Sequence, residues 1–232
     1  MRKNILVLLC VAFIIQFTGL LPLQAGHYYY KQISLKDGLP STVRCILTDE
    51  QGFVWIGTRS GLGRYDGHEL KKYVHQADDP HSIPHNFIYQ MIEDEQNNIW
   101  ILTDKGVARY RRQSDDFFIP TNESGNNIIV YSVCLTKGGV LFGSKNKIFF
   151  YNYQDATFRL LQTFDLEPNY NVTLLSLWDK RTLLCCSRWQ GLLLLDLNTG
   201  KCRRPPFDCG KEIMNVLIDS QKRIWVAPYN GG

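Results

Sequence analysis

The chain has 232 residues, 44% of them hydrophobic and 21% charged, with a formal net charge of +4. Setting aside the two basic residues of an N-terminal leader leaves +2, too little to give an electrostatic case for nucleic acid binding. The seven cysteines fit no zinc-ligand spacing, and nothing after Ala25 shows a helical period of useful length.

In chain order, residues 2–25 read as a secretory signal: Arg2 and Lys3, an apolar core from Ile5 to Phe17, then Leu23-Gln24-Ala25, with cleavage expected after Ala25. The apolar core is short for a membrane span. The 207 residues that remain suffice for one large all-β domain. Tyr29 to Ile33 is expected to be an outer strand without inner strands of its own, the piece that closes a propeller.

From Thr48 to Asp66 the chain reads TDEQGFVWIGTRSGLGRYD, and this phrase recurs. Aligned on Trp55, its copies place Trp100, Leu141, Leu184 and Trp225 at separations of 45, 41, 43 and 41 residues, periods that belong to propeller blades. The equivalent positions are Trp55, Gly57, Thr58, Gly61, Tyr65 and Asp66 in the first copy and Trp100, Thr103, Gly106 and Tyr110 in the second. They continue as Leu141, Gly143 and Tyr151, then Leu184, Gly191 and Asp196, and end at Trp225 in a fifth copy cut short by Gly232.

Each copy predicts four antiparallel strands. In the first, a strand over 43–48 ends at the polar tetrad Asp49 to Gly52, and Phe53 to Thr58 returns as a hairpin. Arg59-Ser60-Gly61 turns into Leu62 to Asp66, and Gly67 leads to an outer strand over 69–74 whose Lys71 and Lys72 suit a wet edge. The expected architecture is all-β, a β-propeller of four-stranded antiparallel blades. It is incomplete, with about four and a half blades, at approximately 38–74, 82–120, 126–162, 171–205 and 212–232. A blade cannot bury its own apolar faces, so the in-register tryptophans and tyrosines are read as packing between blades. Trp178 and Trp189 are off this register and are the first aromatics to inspect for a surface role.

Catalytic and metal chemistry finds little support. His75, His81 and His85, with Asp78 and Asp79, fall in a connection that also holds Pro80 and Pro84, which reads as a solvated loop. Asp49 and Asp94 occupy the same turn of adjacent blades, as turn-closing residues do, and not opposite sides of one glycosidic bond. No metal, cofactor or catalytic residue is assigned. Cys45, Cys134, Cys185 and Cys186 fall in predicted inner strands as small buried hydrophobes. Cys202 and Cys209 flank Pro205-Pro206, where either a local disulfide or two free thiols fit an exported protein.

Gly38-Leu39-Pro40, the run from Asp49 through Trp55-Ile56-Gly57-Thr58, and Gly61-Leu62 with Arg64-Tyr65-Asp66 resemble the two-component regulator propeller repeat. Asp79-Pro80, Ser82-Ile83, Asn86 and Trp100-Ile101 with Thr103 repeat the likeness. The resemblance implies the periplasmic sensor region of a Bacteroidetes-type hybrid two-component system, anchored in the inner membrane, dimeric when full-length, and responsive to glycan-derived oligosaccharides that regulate polysaccharide-utilisation genes. It implies a seven-bladed ring, with further propeller blades and downstream kinase, receiver and output domains as partners, and identifies this chain as a fragment of a longer reading frame. No ligand-binding residue carries over. An exported propeller enzyme or lectin acting on glycans, and an envelope scaffold propeller, are the alternatives.

Overall fold

The structure is a computed structural model. It describes residues 32–34, 36, 38, 39, 41–121, 125–164 and 171–229. The chain divides after Ile33 into two units, and of the first only Gln32 and Ile33 are among these residues. The expected leader and its cleavage site after Ala25 lie outside the described residues, as does most of the strand expected over 29–33.

The second unit, 34–232, is all-β. Its first sheet is β1 (Val43–Thr48), β2 (Val54–Thr58), β3 (Leu62–Tyr65) and β4 (Leu70–Tyr73), paired antiparallel in chain order. The second is β5 (Ile88–Glu93), β6 (Ile99–Thr103), β7 (Gly106–Arg111) and β8 (Asp116–Phe118). The third is β9 (Ser132–Thr136), β10 (Gly139–Gly143), β11 (Lys147–Asn152) and β12 (Phe158–Thr163). The fourth is β13 (Leu174–Leu177), β14 (Thr182–Ser187), β15 (Gly191–Asp196) and β16 (Cys202–Arg203). A two-stranded sheet of β17 (Ile213–Ile218) and β18 (Ile224–Pro228) follows. These are β-propeller blades, and the first strand of one meets the first strand of the next, as β1 meets β5, β9 meets β13 and β13 meets β17.

The repeated phrase explains this stacking residue by residue. The anchors Trp55, Trp100, Leu141 and Leu184 are buried, each in a cluster shared with the following blade. Trp55 meets Tyr110 of the second blade edge-on, with ring centroids 4.7 Å apart, and Trp100 meets Tyr151 of the third at 4.9 Å. Two residues past the anchor, the glycine is set by close approach. A Cβ on Gly57 would lie 2.8 Å from Ile88, and one on Gly143 2.7 Å from Val172, each belonging to the segment that enters the next blade. The following threonine locks the turn: Thr58 Oγ1 donates to Gly61 O at 2.8 Å and Thr103 Oγ1 to Gly106 O at 2.7 Å.

The aspartate that opens the phrase holds the hairpin and the anchor together. Asp49 Oδ1 accepts the backbone N–H groups of Gln51 and Phe53, while Oδ2 accepts Trp55 Nε1 at 2.9 Å. Asp94 does the same for Gln96, Asn98 and Trp100, and Asp219 for Gln221, Arg223 and Trp225. A buried indole N–H needs a partner, and the turn supplies one six residues upstream.

One expectation is corrected, and one of two open alternatives is found. Trp225 keeps its bond to Asp219 but is 55% exposed and does not pack between blades, because no described strand lies over the outer face of the β17–β18 sheet. Cys202 and Cys209 are free thiols. Cys202 pairs with Leu195, whose side chain joins the cluster containing Cys185, Leu183 and Leu193, whereas Cys209 packs on the cluster containing Cys186, Leu184 and Leu192. The two thiols therefore lie against opposite faces of the fourth blade, which their closeness in sequence conceals. Cys185 and Cys186 are buried, and burial pushes the Cys186 thiol up to about 12 and the Cys45 thiol to about 11, as befits inert core residues.

Candidate functional site

The seam between the first and second blades is closed by charge. Asp115, in a left-handed turn conformation (φ 54°), accepts hydrogen bonds from Tyr73 at 2.6 Å, Tyr110 at 2.5 Å, Arg64 at 3.2 Å and Lys71. Partial burial opposes its ionisation, but the bonds from Lys71, Tyr110 and Tyr73 and the Arg64 charge outweigh it and hold the carboxyl down at about 2. At the same seam Arg112 donates to Asp49 Oδ2 at 3.0 Å, Gln51 Oε1 at 2.9 Å and Glu93 Oε1 at 3.1 Å. Asp49 is thereby lowered despite burial, by Trp55, Arg112 and Phe53. Arg64, Lys71 and Arg112 each have an acid here, while Arg44 and Arg59 lie over the Phe87 ring.

The expected histidine loop does not converge. His75 Nδ1 lies 2.8 Å from Ile83 O, His81 Nδ1 lies 3.0 Å from Arg111 Nη2, and His85 Nδ1 accepts Phe87 N–H at 3.3 Å. Three histidines serve three separate contacts.

The seam between the fourth and fifth blades differs. The β14–β15 turn carries Arg188 and Trp189, and the backbone of Arg188 accepts Ile213 N–H at 2.9 Å, which fixes the turn against β17. Tyr229, just after β18, is held by its N–H to Glu212 O at 2.9 Å. This brings the Trp189 and Tyr229 rings to 5.8 Å, tilted by 57°, both about half exposed. The Arg188 guanidinium lies over the two, 5.3 Å from the Trp189 centroid and 5.2 Å from that of Tyr229. Its Nη2 reaches only Met214 Sδ at 3.3 Å, a weak acceptor, and its buried Nε has no hydrogen-bond partner. No described carboxylate forms an ion pair with it.

A cleft of about 680 Å³ adjoins this turn, lined by Leu192 and by residues 204–211, including Arg204, Phe207 and Lys211. Gly191 connects the two: a Cβ there would lie 3.0 Å from Gly210 O and 3.9 Å from Arg204 Nη1. Trp178, the other off-register tryptophan, donates Nε1–H to Lys222 O at 3.0 Å and packs on the core between these blades, so its role is structural. A larger cleft, about 890 Å³, lies on the third blade between Thr121, Asn127, Ile128 and Ile129 and β11–β12, with Lys145, Lys147, Phe149 and Phe158 in its lining. Sequence reasoning isolated Trp189 by its register but did not join it to Arg188, its neighbour, or to Tyr229, one repeat period further on.

With that geometry in place, the likenesses to known proteins can be stated. Residues 37–60 and 82–105 match the family described as two component regulator propeller. A 61-residue stretch, 26% of this chain, is 39% identical to histidine kinase P4 of Formosa agariphila and spans 4% of that protein. The extracellular domain of the hybrid two component system BT3049 from B. thetaiotaomicron superposes with a TM-score of 0.72 at 21% identity, over 87% of this chain and 29% of that one. The extracellular domain of the one component system BT4673 from the same organism gives 0.68 at 22% identity, over 87% of this chain and 28% of that one. The chain thus spans less than a third of each of these relatives. Its blades are those of a β-propeller, and two of its repeats match the two component regulator propeller repeat.

Proposed function

We propose that this chain is part of the exported ligand-sensing propeller of a hybrid two-component sensor, whose ligand is a glycan-derived oligosaccharide and whose output regulates polysaccharide-utilisation genes. The observation that carries this reading is the match of two successive blades to the regulator repeat, on a fold shared with extracellular domains of such systems. In the periplasm such a region would report ligand to a kinase elsewhere in a longer, dimeric, membrane-anchored protein; no described helix is long and apolar enough to cross a membrane.

A sensing and not a hydrolytic role fits the acids. Asp49 and Asp94, the pair a glycosidase would need, direct their oxygens into the hairpin backbone and the indoles of Trp55 and Trp100. The test is a panel of oligosaccharides offered to the purified chain, with binding followed by calorimetry and products by chromatography. Saturable binding without turnover supports a sensor. Turnover replaces it with the enzyme reading, and a fixed protein partner recovered in place of any saccharide replaces it with the scaffold reading.

A further inference from the structure

We draw no further inference here: the strongest candidate, the cleft on the third blade whose lining includes Lys145, Lys147, Phe149 and Phe158, joins two exposed lysines to rings that already pack on the cluster between the second and third blades, and nothing in the structure shows what covers it.

Discussion

The first seam and the last seam of this propeller are built from the same phrase and end in opposite states. Between blades one and two, Trp55 is fully buried, Arg64 has Asp115, and Arg112 ties two blades at once. Between blades four and five the buried anchor is Leu184, and the cation of the turn, Arg188, lies open between two half-exposed rings. A repeat that satisfies its polar groups internally makes scaffold. At the seam between blades four and five only two strands of the fifth blade are described, so the rings beside it lie half exposed, and the contrast is one of burial.

The sharpest way to break this comparison is through the tryptophans. Trp100 and Trp225 make the same bond to the aspartate six residues upstream, yet one is buried under the next blade and the other is not. Trp100→Ala should cost about 3–5 kcal/mol, the range for emptying a large buried site. Trp225→Ala should cost below about 1 kcal/mol, since little burial is lost. Urea denaturation measures both, and equal losses would show that the aspartate bond, and not burial between blades, carries the repeat.

A smaller effect probes the glycines. Gly143→Ala places a Cβ 2.3 Å from Ser132 Oγ and 2.7 Å from Val172, so the third and fourth blades must part, at a cost of about 1–3 kcal/mol. Gly138→Ala, in the turn of the same sheet with nothing within 4 Å, should be close to neutral and serves as the control on the same assay.

The blades were legible in the sequence because a blade is a local object. Its strands follow one another in a meander, its turns carry Gly, Asp and Thr at fixed offsets, and the repeat of Trp55 at Trp100 has a propeller period without the helical pattern of helix-pair repeats. Even so, the reason Gly57 is glycine was only half legible, since a side chain there is excluded by Cys45 of its own blade and by Ile88 of the next. The site was less legible for the same reason. Arg188 and Tyr229 stand 41 positions apart, each four residues past its anchor, and the repeat period alone does not show that the two positions meet across the stacked blades. Cys202 and Cys209 show the converse: near in sequence, they fall on opposite faces of one sheet, a fact set by the register of Cys202 with Leu195.

The smallest effect is also the most diagnostic of the closed seam. Asp115 is held at about 2 in the fold against an ordinary value of 3.8, so its depressed folded value contributes stability that is present above about pH 4 and lost as pH falls through about 2. Its side chain is 32% exposed, and with solvent screening the contribution is about 1 kcal/mol. Asp115→Asn removes the charge while keeping the shape. Measured by urea denaturation across this window, the variant should be less stable than the parent near neutral pH and converge on it in acid. A difference that stayed constant with pH would assign the role of Asp115 to packing of its turn, and the first seam would then differ from the last in shape alone and not in how its cations are satisfied.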